Sequence, residues 1–209
     1  IFPGGRRALL PAGLLSVALV FTAGATAQET RTVEADNGTI EIPADPQRIA
    51  TIGNTTLPFI DLGGTPIAVT AESDSDVARL PEDQQATYAS ATLLAASADE
   101  VDMEQLASLR PDLILVQVPL GEFEQIRAQL EAIAPTVFYG LDTEWKALAD
   151  GIAEAGNTTG ALSEQKAELE ARLAEIREKY REIIDSTSFV DVTRWASSDP
   201  GTFAIADIG

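Results

Sequence analysis

The chain has 209 residues, 45% of them hydrophobic, with 14 basic against 33 acidic residues and a formal net charge of −19. So much apolar content excludes a disordered polymer, and so much negative charge, with no basic patch in the sequence, argues against nucleic acid as a partner. With no cysteine and no histidine, the segment excludes disulfides, Cys- or His-ligated zinc, His-ligated haem and any Ser-His-Asp triad.

Residues 1–27 read as an export signal. Arg6 and Arg7 supply positive charge, Leu9 to Phe21 an apolar core, and Ala25-Thr26-Ala27 a small-residue cleavage site before Gln28. The core is shorter than the roughly 20 apolar residues of a spanning helix, so a membrane anchor is the alternative rather than the leading expectation. Cleavage would leave 12 basic against 33 acidic residues, a net charge of −21. The chain opens on Ile and closes on the apolar run AIADIG, so both ends are expected to be cut points, with the C-terminal part missing.

Next, Thr32 to Ile42 alternates around Asp36-Asn37-Gly38, a two-residue hairpin signal ended by Pro43 to Pro46. A unit then appears twice. Arg48 to Ile52 reads as a strand, Leu57 to Leu62 as a short helix closed by Gly63-Gly64, and Pro66 to Thr70 as a strand. The same order returns as Leu113 to Val118, Glu122 to Ile133 and Thr136 to Tyr139. Two strand-helix-strand crossovers predict a small parallel, doubly wound α/β lobe. Between them, Glu72 to Gln85 reads as a surface loop and a short polar helix.

Val101 to Gln117, VDMEQLASLRPDLILVQ, joins a helix to a strand. Met103, Leu106 and Leu109 recur at helical spacing, Pro111 ends the helix, and Leu113 to Val116 is an unbroken apolar run, as in a strand covered on both faces. Glu144 to Ala155 reads as a further helix. Ser163 to Ser186 reads as one long charged helix, with Leu162, Leu169, Leu173, Ile176, Tyr180 and Ile183 forming its apolar seam. By period alone that seam fits a coiled coil; the other reading is a helix laid across a core and linking two lobes. Phe189 to Trp195 and Phe203 to Ala206 then read as the first strands of another lobe. The expected organisation is a lobe over 28–158, an inter-lobe helix over 159–186, and a second lobe only begun over 187–209.

Four stretches in this order, IPADPQRIATIG, FIDLGGTPIAVT, DMEQLASLRPDLILVQ and LEAIAPTVFYG, followed by Trp145 and the long helix, resemble the periplasmic substrate-binding proteins of iron-siderophore and cobalamin ABC transporters. That resemblance implies a bilobal fold with a single long helix between the lobes, a ferric siderophore captured in the cleft, and delivery to an ABC permease. It implies no catalysis, no resident cofactor and no metal ligated by the protein. The receptor it implies is a monomer of periplasmic location, or a secreted one where there is no outer membrane. Cobalamin or haem is the alternative ligand within the class. The resemblance also gives Glu104 a role, docking on the permease, whose alternative is an exposed helix glutamate. Many relatives carry a lipid-anchored Cys after the signal; here Thr22-Ala23-Gly24 is followed by Ala25.

In an open α/β lobe ligands sit beyond the carboxyl ends of the strands. That rule selects Asn54, Thr55 and Thr56 as donors or helix caps, and Glu72, Ser73 and Arg79 as contacts to a chelate or to one another. It selects Gln117 as a cleft-lining amide or a backbone partner, and Tyr139 as a stacking ring or core. Arg194 and Trp195, at the end of the second lobe's first strand, suit an anionic ferric chelate; a surface ion pair beside a packed indole is the alternative. From other classes, a nucleotide-dependent oxidoreductase lacks support because the first turn reads IGNTTLP rather than GxGxxG, and an oligomerising protein would have to be built on the long helix.

Overall fold

The computed structural model of the protein describes residues 29–188, 190–193 and 204–207. The expected signal segment and the candidates Arg194 and Trp195 lie outside the described residues.

The first two strands, β1 (Thr30–Ala35) and β2 (Gly38–Pro43), form an antiparallel hairpin with Ala35 opposite Gly38. The left-handed backbone falls on Gly38, at φ 108°, and not on Asp36 or Asn37. Those two side chains are used elsewhere. Asn37 donates from Nδ2 to the Thr136 carbonyl at 2.9 Å and accepts from the Phe138 amide at 3.0 Å. The Asp36 amide donates to the Phe138 carbonyl at 3.0 Å. The hairpin turn thereby occupies backbone groups of an edge strand that would otherwise be open to pairing.

That edge belongs to a five-stranded sheet of order β5-β4-β3-β6-β7. Its strands are β3 (Ile49–Gly53), β4 (Ala68–Thr70), β5 (Thr92–Ala95), β6 (Leu113–Gln117) and β7 (Thr136–Tyr139), all paired in parallel. From β3 the chain steps outward through β4 to β5, then returns to the other side of β3. The sheet is therefore doubly wound, with its reversal between β3 and β6.

Helices cover both faces. On one, α1 (Thr56–Asp61), α6 (Trp145–Ala155) and the hairpin bring Phe59, Ile152, Val33 and Ile42 onto Leu113, Leu115 and Val137. On the other, α4 (Met103–Leu109) and α5 (Leu120–Ile133) bring Leu106, Phe123, Ile126 and Leu130 onto Ile52, Ile114, Val116 and Phe138. This double cover is why Leu113 to Val116 read as an unbroken apolar run; all four are fully buried. The connector from β4 to β5 carries α2 (Asp74–Val77) and α3 (Glu82–Ser90), neither with a buried residue.

The helix-to-strand joint is held from both ends. Asp102 caps α4, accepting from the Glu104 and Gln105 amides at 2.9 and 3.0 Å. Arg110 ends the helix in the left-handed region at φ 50°, one residue before Pro111. Asp112 then accepts from the amides of Gln47 and Arg48, both at 2.8 Å, which fastens the start of β6 to the start of β3.

The long helix departs from expectation. It comprises α7 (Thr159–Lys179) and α8 (Arg181–Ser186), interrupted at Tyr180, where φ is −115° and ψ 19°. No glycine or proline marks the break. Beyond Leu162 the residues up to Ser186 are all exposed, so no surrounding core holds the helix continuous. Its seam residues Leu169 and Leu173 join Leu62, Trp145 and Leu162 around an apolar groove of about 780 Å³ between α1, α6 and α7. Trp145 is 63% exposed there and lies outside the packed core. Two further strands, β8 (Val190–Thr193) and β9 (Ala204–Asp207), pair with each other in antiparallel register.

Candidate functional site

The carboxyl ends of β3 and β6 lie side by side at the reversal of the sheet, with Gly53 opposite Gln117 and Gln117 opposite Tyr139. Gly53 sits at φ 67°, and a Cβ there would run into the Gln117 carbonyl and lie 2.7 Å from Val118 Cγ1. Glycine lets the chain turn from β3 toward α1 while touching β6. The turn is pinned by two of its amides: that of Gly53 donates to Thr70 Oγ1 at 2.8 Å and that of Asn54 to the Gln117 carbonyl at 3.0 Å. Above this crossing is an open hollow of about 200 Å³, whose lining includes Asn54, Thr70, Ser97, Gln117, Pro119 and Glu122. It is smaller than a typical small-molecule pocket of roughly 300–1,000 Å³, as expected of one wall of a cleft.

Gln117 is the polar residue best placed there. It is only 6% exposed, and its Nε2 donates to the Gly140 carbonyl at 3.0 Å. Since only the amide nitrogen can donate, the carbonyl fixes which way the side chain faces. Its Oε1 has no partner among the described residues and remains reachable by solvent. Gly140 is itself held by the hairpin, because Asp36 Oδ2 accepts from the Gly140 amide at 2.8 Å and from Thr143 Oγ1 at 2.6 Å.

The other candidates fare differently. Asn54 is exposed on the hollow. Thr55 and Thr56 are fully buried and turned inward. The Thr55 hydroxyl lies 3.2 Å from the Ile52 carbonyl and 3.0 Å from that of Leu115, and the Thr56 hydroxyl 3.2 Å from the Gly53 carbonyl and 3.0 Å from Thr51 Oγ1. Neither is a rim donor, and Thr55 makes no side-chain cap. Ser73 caps α2 and donates to Asp76 at 2.6 Å. Arg79 projects into solvent and pairs with Asp76 at 2.7 Å. Tyr139 is 4% exposed and packs with Leu115, Val137 and Ile152. Its ring sits against Gly151 of α6, inside the packed layer. Burial raises its phenol pKa, helped by the charges of Glu154 and Asp36. No cluster of acidic side chains among the described residues is arranged to hold a metal ion.

Residues 49–200 match a protein-family model described as periplasmic binding protein. The chain belongs to this family. No curated protein matches it. Among solved structures it is similar to the siderophore periplasmic binding protein from the fuscachelin gene cluster of Thermobifida fusca, at 28% identity and a TM-score of 0.55, covering 78% of this chain and 59% of that one. It is also similar to Staphylococcus aureus SirA complexed with staphyloferrin B, at 21% identity and a TM-score of 0.58, covering 73% of this chain and 52% of that one. The periplasmic catecholate-siderophore binding protein VctP of Vibrio cholerae matches at 20% identity and a TM-score of 0.56, covering 85% of this chain and 61% of that one. The chain thus spans between about half and three-fifths of these structures, and the two matches near 20% identity speak to the fold alone.

In this periplasmic binding protein, the carboxyl edge also carries an acid whose surroundings its neighbours in sequence do not reveal. Glu72, one residue past β4, has its pKa pushed up to about 7 by burial first and by the nearby charge of Asp76 second, against a lowering by the Thr56 hydroxyl. The unfolded chain loses this proton near pH 4.5. Between the two values the folded state holds a proton that the unfolded state has lost, so the contribution of Glu72 to stability is complete below pH 4.5 and lost as pH rises through 7. Glu72→Gln, which never ionises, is therefore expected to raise the Tm at pH 8 and to change it little at pH 4. Solvent screening of this partly buried group holds the gain to about 1 kcal/mol, or roughly 2–4 °C. Calorimetric scans across pH check this, and a shift independent of pH rules it out.

Proposed function

We propose that this chain is part of a non-catalytic solute receptor. It captures a ferric siderophore between two lobes outside the cytoplasm and delivers it to an ABC permease for iron uptake. The observation that carries the reading is the family match across residues 49–200, supported by an open hollow at the reversal of the sheet, where such folds receive ligands. The fuscachelin-cluster protein, at 28% identity, is described as a siderophore periplasmic binding protein. The chelator supplies the iron's ligands and the protein binds the complex, so no cofactor or protein-ligated metal is called for. Gln117 and Asn54 line the first lobe's share of the cleft. Glu104, exposed in the first turn of α4, is the docking contact toward the permease, and residues 1–27 are the cleaved export signal.

Tryptophan fluorescence of the full-length protein, titrated with ferric hydroxamates, ferric catecholates, cobalamin and haem, tests this. A saturable response to a ferric chelate with Kd below about 1 μM, and none to cobalamin or haem, is expected. Response to cobalamin or haem alone overturns the siderophore reading.

A further inference from the structure

We propose that Asn37-Gly38 is a site of spontaneous deamidation, reached when the β1–β2 hairpin lifts from the sheet, and that conversion there unfastens the hairpin turn from β7. The reaction involves only the protein, water and base, so it is independent of the ligand.

The chemistry needs an asparagine side chain, the amide nitrogen of the next residue and room between them. The Gly38 nitrogen, its proton lost to base, attacks Cγ of Asn37. The Cγ–Nδ2 bond breaks, the side-chain nitrogen leaves as ammonia, and a cyclic imide closes. Water then adds to one imide carbonyl and opens the ring, giving aspartate, or isoaspartate with the backbone running through the former side chain. Nothing is oxidised or reduced. Glycine, with no Cβ, leaves its nitrogen unhindered. The chain has three asparagines, and the other two, Asn54 and Asn157, each precede a threonine, whose β-branch crowds the same approach. The turn also lies open to base and water: Gly38 is exposed, and a Cβ built on it meets nothing within 4 Å.

The fold guards the site. Asn37 commits both ends of its amide to β7, Nδ2 donating to the Thr136 carbonyl at 2.9 Å and Oδ1 accepting from the Phe138 amide at 3.0 Å. Gly38 is meanwhile paired with Ala35 in the hairpin ladder. Cγ and the attacking nitrogen are held by different partners, so local opening precedes reaction.

The product cannot close in the same way. Aspartate presents an acceptor where Nδ2 donated, setting an oxygen against the Thr136 carbonyl with no proton between them. Isoaspartate adds a carbon to the backbone and upsets the register of the turn. Much is fastened through this point. The Asp36 amide donates to the Phe138 carbonyl, Asp36 Oδ2 holds the Gly140 amide and the Thr143 hydroxyl, and the Gly140 carbonyl holds Gln117. Loosening therefore spreads to the end of β7 and the loop that follows it.

The test warms the full-length protein in mildly alkaline buffer, with and without urea, and follows each asparagine by peptide mapping and mass spectrometry. Asn37 is expected to convert in both samples, about tenfold more slowly when folded, with Asn54 and Asn157 lagging behind. Folded protein converted at Asn37 is expected to exchange the amide hydrogens of residues 136–143 about tenfold faster than unconverted protein. Asn37→Asp reproduces one product directly. Its folded-state pKa is raised by the facing Thr136 carbonyl and by the surrounding charges of Glu34, Asp36 and Asp142. The carboxyl's contribution to stability is therefore complete below the unfolded value of about 3.9 and lost as pH rises. The Tm deficit of this variant against the unaltered protein is thus expected at neutral pH and to shrink in acid, where the protonated group donates to Thr136 again. Equal rates with and without urea overturn the guard. Asn37 still intact in the folded protein when the urea sample is fully converted overturns the site. Exchange at residues 136–143 unchanged by conversion overturns the unfastening, as does an Asn37→Asp variant with no Tm deficit at neutral pH.

Discussion

Gly53→Val is expected to destabilise the lobe by on the order of 4 kcal/mol, because two penalties fall on one atom. A β-branched residue is strained at the φ of 67° that Gly53 adopts, and its Cβ would overlap the Gln117 carbonyl. Relief requires β3 and β6 to move apart where Asn54 and Gln117 are bonded. Against a total stability of about 5–15 kcal/mol the loss is large enough to unfold a good fraction of molecules at 37 °C. Gly63 provides the control. It has a φ of 80°, but a Cβ there would meet nothing within 4 Å, so Gly63→Ala incurs the backbone penalty alone, about 1 kcal/mol. Urea titrations followed by circular dichroism check both, and comparable losses at the two sites would show that the overlap at Gly53 contributes nothing.

Phe123→Ala is expected to cost about 3–5 kcal/mol and to lower the Tm by roughly 10 °C. The ring is fully buried and stacks on Phe138, with centroids 3.9 Å apart and planes 4° from parallel. It ties the first turn of α5 to β7, the two elements that bracket Gln117 and Gly140. Truncation leaves a cavity in a closely packed layer and removes the stacking as well. Phe123→Leu keeps most of the volume and is expected to recover more than half of the loss. The Arg127 guanidinium, 5.8 Å from the Phe123 centroid, adds little at its exposed position. Denaturant midpoints of the two variants measure the difference; an alanine variant as stable as the leucine variant would show that the cavity closes by itself.

Strand β6 was legible because burial on both faces writes itself into the sequence as a continuous apolar run, set off by Pro111; its neighbours β3 and β7 are mostly apolar but carry the buried Thr51 and Thr136. The joint was legible for the same reason. Strand β5 left no such mark: it is short, half-exposed at the sheet edge, and its Leu93 is 57% exposed, so no strand was expected at Thr92 to Ala95. The hydroxyls of Thr55 and Thr56 looked available because sequence displays a donor without its acceptor. The Leu115 carbonyl that takes up the Thr55 hydroxyl comes from a different strand, 60 residues away. Gln117 stood out as a polar break in an apolar run, but the direction of its amide depends on Gly140, which folding alone brings near. Tyr139 sits at a strand end like Gln117, yet α6 covers its ring, and no local pattern in the sequence announces which helix lands where.

The way α7 leaves the lobe has a mechanical side. Its hold is confined to the first two turns, where Leu162 is buried, Gln165 Nε2 donates to the Asp61 carbonyl at 2.9 Å, and Lys166 pairs with Asp150. The remaining turns of α7, up to Lys179, project as a cantilever about 20 Å long, at 1.5 Å per residue. For a beam of that length a rotation of about 10° at the root carries the tip through about 3–4 Å. Leu162, Gln165 and Lys166 thus act as the bearing that sets the direction of the rest of α7.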